Sequence, residues 1–517
     1  MISDSFKKVL DVLRTHSDTA SEGVGGGPRV SVNQITKKVG VFYEKVRYLV
    51  DYKKEHAIKR SAVERILKRK IAIEQSGKIG ESLLNELVTG GYLPNNAVSE
   101  NMAGNINAIA AKYMNLSHAG ALNQNMALSF AATEIERLLY PRILPDLIAD
   151  YFYNTISPQV KYVGAIDSAR FQSQVYIACR RSFLDDDEET LRYVMLGKYV
   201  PEVLPHQVSN EELVPLAPRV AKAIALIDTE LDNPLAWRIA VKLRNHSIFV
   251  SVIDEIVRQY SVVSEEIFND PVRFEETVRQ ILAEKYKLER SRVNKSGTRA
   301  IIYIFMTKVV LGLTFEFPYE IFFFQSLNYL ALGTNVFFHP LLLFAMIKSV
   351  RVPDEENTKR IVTGIQHMIH GESTKDIYIR ERVHHLPLQI IFGFFYLLLY
   401  AISFGFLLSV LKFLEFNFVS IVLFLLFLTL VSYFGIRIRH KAKKWLVDRE
   451  HEGFGVVIWN FLTLPIVRAG GWINRKFSRI NFAVFVLDFI IETPFKFTLG
   501  AFDSFVSFIN EKREGPY

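Results

Sequence analysis

The chain has 517 residues, a formal net charge of +8 and one cysteine, Cys179. That lone thiol excludes an internal disulfide and a cysteine-built zinc site, and it agrees with a reducing compartment for the aqueous part. Forty phenylalanines, most of them after residue 300, exceed what a soluble core of this length uses and point to membrane-embedded structure in the second half.

Residues 1–28 read as an amphipathic helix and a glycine-rich linker. Ile2, Phe6, Val9, Leu10 and Leu13 share one helical face, with Lys7, Lys8 and Arg14 elsewhere. This differs from the uninterrupted apolar run of a secretory signal. It predicts a small packing helix, with a membrane-surface helix as the alternative. The linker (SEGVGGGP) lacks the Gly-Lys-Ser/Thr ending of a phosphate-binding loop.

Residues 29–95 predict a basic long-helix region. Val39, Phe42, Val46 and Leu49 follow a 3-4-3 spacing, which breaks at Lys53, His56 and Arg60 and resumes at Val63, Ile66, Leu67 and Ile71. Two amphipathic stretches fit this better than a continuous coiled coil. Between Lys37 and Lys78 there are 13 Lys/Arg against 5 Asp/Glu, which accounts for the chain's whole net charge. The candidate binding cations are Lys37, Lys38, Lys53, Lys54, Lys59, Arg60, Arg65, Lys68, Arg69 and Lys70. They could meet anionic lipid headgroups at about 1 kcal/mol per cation. They could instead meet an acidic protein partner, or an acidic stretch of the chain such as 185–189, or form a solvated face. Nucleic acid is disfavoured: the interleaved aromatics are only Phe42, Tyr43, Tyr48 and Tyr52, with no DNA-binding motif.

Residues 96–290 predict a helical cytosolic domain with few strands. Apolar residues recur three and four apart over 131–139, 143–156, 171–181, 235–260 and 272–289. The acidic run 185–189 suits the start of the next helix, and Pro201, Pro205, Pro215 and Pro218 mark a looser connection.

Residues 386–411 and 416–436 run for 26 and 21 residues without a Lys, Arg, Asp or Glu. Each is long enough to span a hydrocarbon core, which takes about 20 residues of helix. The short link between them makes 386–436 a transmembrane hairpin. Residues 300–347 predict a second hairpin or a re-entrant pair. Its first part carries Lys308 and ends at Glu316 and Pro318; its second is interrupted by Gly333, Asn335 and Pro340. A cytoplasmic loop (348–385) joins the two. Arg437, Arg439, Lys441, Lys443 and Lys444 follow the last span, Lys348, Arg351, Lys359 and Arg360 follow the second, and Arg290, Arg292, Lys295 and Arg299 precede the first. The positive-inside rule then puts both termini in the cytoplasm, at the plasma membrane or a bacterial inner membrane.

Residues 437–517 read as a basic, aromatic tail lying in the interface. Its anchors are Trp459, Trp472, Phe482, Phe485 and Phe489; the alternative is a packed subdomain. The fold expected overall is mainly α: a cytosolic helical domain, a multi-pass helical membrane region and an amphipathic interfacial tail.

Six of the twelve histidines fall between residues 367 and 451: His367, His370, His384, His385, His440 and His451. Neutral imidazole is a common metal ligand. Their placement at the cytoplasmic ends of spans resembles membrane desaturases and hydroxylases, whose histidine boxes hold two metals. His367-x-x-His370 and His384-His385 depart from those tighter repeats, so interfacial histidines are the first reading and no cofactor is expected. Lys308 would be an intramembrane charge, costing about 2.5–3.5 kcal/mol to insert and marking a transport or relay site by default; no carboxylate partner is evident in the other spans, and the first reading is structural, a core helix in place of a span. No hydrolase elbow, HExxH or dinucleotide fingerprint occurs, which leaves enzyme activity open. The leading expectation is a membrane-anchored scaffold that recruits a protein partner. A metalloenzyme using the histidines and a small channel or transporter built as a homo-oligomer are the alternatives.

Overall fold

A computed structural model describes residues 3–22, 57–73, 79–205, 210–260, 263–325, 328–350, 353–371, 376–381, 386–442, 444–447 and 454–478, with a few more between 28 and 44 and Val208. In chain order the helices are α1 (Asp4–Glu22), α2 (Ile58–Ile73), α3 (Ile79–Thr89), α4 (Met102–His118), α5 (Gln124–Leu139), α6 (Ile143–Ile156), α7 (Ser168–Phe183), α8 (Glu188–Tyr199), α9 (Asn210–Asp232), α10 (Pro234–Lys242), α11 (Arg244–Tyr260), α12 (Ser264–Asn269), α13 (Pro271–Leu311), α14 (Phe317–Phe324), α15 (Tyr329–Lys348), α16 (Glu355–His370), α17 (Leu386–Phe413), α18 (Phe418–Ala442) and α19 (Phe454–Ser478). Among the described residues the only sheet pairs β1 (Val160–Val163) with β2 (Ile377–Arg380). The chain divides into two compact units, one holding residues 5–160 and 165–243, the other residues 161–164 and 244–480.

In the first unit, α2, α3, α4, α5, α8 and α9 close over Leu83, Leu84, Ile106, Ile109, Ala131, Ile135 and Leu191, all fully buried. Asn123, Asp167, Asp187 and Asn233 start α5, α7, α8 and α10 by accepting a backbone N–H, so the acidic run 185–189 does open a helix. The face of α1 expected from the sequence packs inward: Phe6, Val9 and Leu10 are buried, and the Phe6 ring sits 5.1 Å from that of Tyr151. Pro215 and Pro218 were expected in a loose connection; they lie inside α9. Each interior proline costs about 3 kcal/mol. Both are exposed, while Leu213, Leu216, Ala217 and Val220 bury the opposite face, and their burial offsets the broken ladder.

Among its described residues the second unit has four helices long and apolar enough to cross a membrane: Pro271–Phe323, Tyr329–Lys348, Ile390–Phe413 and Phe418–Arg439. The first is a 53-residue rod, about 80 Å long, started by Asp270, whose side chain accepts from Val272 and Arg273. It does not stop at Glu316 and Pro318 as the sequence reading had it. A π-turn over Gly312–Glu316 leads directly into α14. Pro318 follows that turn, where the hydrogen-bond ladder has already shifted, so its missing N–H interrupts little. The helix ends instead at Gln325 (φ 50°), and the next helix starts at Tyr329. Gly297 on α13 lies against Ile347 of α15, and Gly435 on α18 against Met346.

The tail opens with α19, which is seated along the membrane helices. Gly470 and Gly471 bring its backbone against the Thr429 carbonyl and the Tyr433 ring of α18, and Arg468 stands over the Tyr396 ring of α17 at 5.1 Å. Trp472 is exposed on this helix, and the backbone of Trp459 is also part of it. Phe482, Phe485 and Phe489 lie outside the described residues.

Candidate functional site

The membrane helices of the second unit carry a column of buried polar side chains. Lys308 of α13 is 2% exposed. Its Nζ donates to Asn335 Oδ1 at 2.5 Å and approaches the Leu423 carbonyl at 3.5 Å, with the Phe427 ring centroid 4.4 Å away. The Asn335 amide is fully buried; its Nδ2 donates to Glu316 Oε1 and lies 3.5 Å from the Ser420 carbonyl. One amide therefore joins an ammonium to a carboxylate, and its orientation is fixed because each end meets a partner of the opposite kind.

The π-turn makes this bridge geometrically available. In a regular α-helix the eight residues from Lys308 to Glu316 leave their side chains about 80° apart. The wider turn, at roughly 4.4 residues per turn, takes up most of that angle and brings both groups to one face. Glu316 Oε2 and Ser420 Oγ are both buried, with the Ser420 hydroxyl the side-chain neighbour of the carboxylate.

Toward the hairpin links the column continues through Glu320. Its Oε1 accepts from Asn417 Nδ2 at 2.9 Å and its Oε2 from the Asn328 backbone at 3.1 Å. Asn328 also caps α15, and Asn417 caps α18 through the Ser420 N–H. In the other direction His339 faces two carbonyls, Asn335 O at 3.2 Å and Phe424 O at 3.0 Å. A neutral imidazole has one N–H for these two acceptors, whereas an imidazolium would satisfy both. Beyond it Ile304, Leu343 and Val431 form a buried apolar layer.

The other candidates from the sequence are dispersed. Arg60 is buried in the first unit, paired with Asp187 at 2.5 Å and Glu189 at 3.2 Å. Arg65 pairs with Glu44, Arg69 and Lys70 with Glu86, and the Lys59 ammonium stands 3.6 Å over the Tyr140 ring. Lys37 is half-buried, Lys38 and Lys68 are exposed, and Lys53 and Lys54 lie outside the described residues. The charge of α2 is thus met largely within its own unit, by acidic groups from 44 to 189. Burial pushes the Asp187 carboxyl up, but the Arg60 contacts outweigh it and hold the group down at about 2. Of the histidines, His367 and His370 share the last turn of α16, where His370 Nδ1 meets the Gln366 carbonyl at 3.0 Å. His440 belongs to α18, while His384, His385 and His451 lie outside the described residues. Among the described residues no three metal-ligating side chains converge.

Sequence reasoning reached Lys308 but not its partners. By sequence Glu316 reads as a helix end and Asn335 as an interruption. The signal available was spacing: Glu316 to Glu320 and Asn335 to His339 are each four apart, one turn on one face. Comparison with protein-family models, with curated proteins and with solved structures finds no match to this chain.

Proposed function

We propose that this membrane protein is a proton-transporting protein whose four-helix region uses Lys308, Asn335, Glu316 and His339 as its relay. The observation that carries the reading is the buried Lys308–Asn335–Glu316 hydrogen-bond chain, with Glu320 and its asparagine partners one helical turn beyond Glu316. Ionisable groups in membrane helices are costly and are kept chiefly where ions or protons pass. The column meets the hairpin links at one end and an apolar layer at the other, as a half-channel would. Lys308 and Glu316 hold the transferable protons, Asn335 couples them, and His339 exchanges one N–H between its two carbonyls. The Lys/Arg flanks support an orientation with both termini in the cytoplasm, so that the hairpin links face outward.

Reconstitution into vesicles holding a pH-sensitive dye tests this. An imposed pH gradient should collapse faster with protein than without. Lys308→Met and Glu316→Gln should each slow the collapse on the order of a hundredfold, the usual worth of a positioned proton donor or acceptor. A rate equal to that of protein-free vesicles, or undiminished in both variants, overturns the proposal.

A second reading, a membrane-anchored recruiting protein, is favoured by one observation in the first unit. Trp237 and Val241 stand one turn apart on α10, 65% and 50% exposed. Exposed tryptophan is characteristic of interaction surfaces. A Trp237→Ser variant that lost a co-purifying protein while keeping vesicle proton flux would assign recruitment to α10.

A further inference from the structure

Between the middle of α13 and the C-terminal end of α15 there is a cavity of about 360 Å³ that shares no residue with the Lys308 column. We infer that it is a binding site for one anionic phospholipid, its phosphate held by Arg290 and Lys348.

Position is the first argument. Lys348 is the last residue of α15, an apolar helix able to cross the membrane, so the cavity lies at the level where that span ends. Gly297 allows α13 to approach the Ile347 side chain, and Ile347 itself lines the cavity beside this contact. Charge is the second. Arg290 and Lys348 line the cavity and take part in no ion pair among the described residues, whereas the one acidic lining residue, Glu289, is engaged by Arg292 at 3.1 Å. The lining therefore presents two uncommitted cations. Shape is the third. Val293, Ile301, Phe344 and Ile347 make an apolar wall, with Phe344 itself 47% exposed. A free phosphate would gain nothing from that wall, whereas an acyl chain would cover it. Basic pockets between membrane helices near the headgroup level suit this chemistry.

The wall opposite is held rigid. Asn357, 4% exposed, donates from Nδ2 to Tyr286 Oη and to the Trp445 carbonyl, each at 2.9 Å, and accepts the Val447 N–H at 2.9 Å. Tyr286 and Trp445 both line the cavity. The Trp445 indole is buried, and its Nε1–H has no acceptor among the described residues, which leaves a donor of the headgroup-level kind unspent.

Native mass spectrometry of the full-length protein released from nanodiscs of phosphatidylglycerol or of phosphatidylcholine tests the assignment. One phosphatidylglycerol adduct should persist after delipidation and phosphatidylcholine should leave none. At about 1 kcal/mol for each headgroup cation, Arg290→Gln/Lys348→Gln should weaken retention about thirtyfold. Lys348→Gln alone, at an exposed helix end, should weaken it about fivefold and supplies the reading should the double variant unfold. Equal retention of both lipids, or undiminished retention in either folded variant, overturns the inference. Displacement of the adduct by millimolar inorganic phosphate would also overturn it, by making the ligand a soluble anion. Proton flux does not enter this readout, so failure here and failure of the transport proposal are separable.

Discussion

Replacing Lys112 with Met in the first unit tests how far that unit depends on buried charge. Lys112 is 2% exposed and its partner Glu134 fully buried. The ammonium donates to both Glu134 oxygens at 2.7 and 2.8 Å, and to the Val203 and Pro205 carbonyls at 2.9 and 3.1 Å. Burial pulls the Lys112 pKa down, more than Glu134 raises it, so the cation is held at a desolvation cost. In Lys112→Met the Glu134 carboxylate loses its ammonium, although the Tyr113 hydroxyl still donates to it at 2.6 Å, and the two carbonyls lose that donor. Stranding one partner of such a pair costs about 3–5 kcal/mol. For a unit of this size that lowers the melting temperature by roughly 6–20 °C. Lys112→Met/Glu134→Gln removes the stranded charge and should recover more than half of the loss. The assay is thermal unfolding of the full-length protein in detergent, followed by circular dichroism with all three variants side by side. A Lys112→Met protein melting within about 2 °C of the parent, less than 1 kcal/mol, would refute the reasoning. So would a double variant less stable than the single.

The other predictions concern acid and packing. The Asp187 carboxyl sits at about 2 in the folded protein against an ordinary 3.8, so the Arg60 pair contributes stability that is complete above 3.8 and is lost as pH falls through about 2. Acid titration of Asp187→Asn should lose that part of the pH dependence, and an unchanged difference curve would count against the pair. A β-carbon on Gly470 would overlap the Thr429 carbonyl, so Gly470→Ala should destabilise by about 1–3 kcal/mol. Gly104 of α4 has nothing nearby, and Gly104→Ala should stabilise by roughly 0.5–1 kcal/mol; detergent melting curves of the two should move in opposite directions.

The sequence was legible where a single period or a run of one residue class decides the structure. The uncharged stretches 386–411 and 416–436 became α17 and α18 nearly residue for residue, because lipid-length apolar runs have few other solutions. The face of α1 was legible for the same reason. Glu316 and Pro318 misled because their usual meaning, a helix end, assumes a regular ladder, and the π-turn changes the ladder just before them. The polar column was illegible for another reason. Asn335 lies 27 residues from Lys308 and 19 from Glu316, and nothing local in a polar interruption says which distant charge it will meet. The basic stretch was legible as charge but not as destination: the acidic segment at 185–189 is one of several partners its charge would suit, and only the tertiary structure brings Asp187 to Arg60.

The extra residue held in the π-turn behaves like a dislocation in a crystal row: it sets the phase of everything on its far side and cannot be removed without unwinding an end. While it lies between Lys308 and Glu316, the two charges share a meridian of the rod. Slid past Glu316 toward Phe324, it would return the intervening turns to ordinary pitch and swing the carboxylate about 80° away from Asn335.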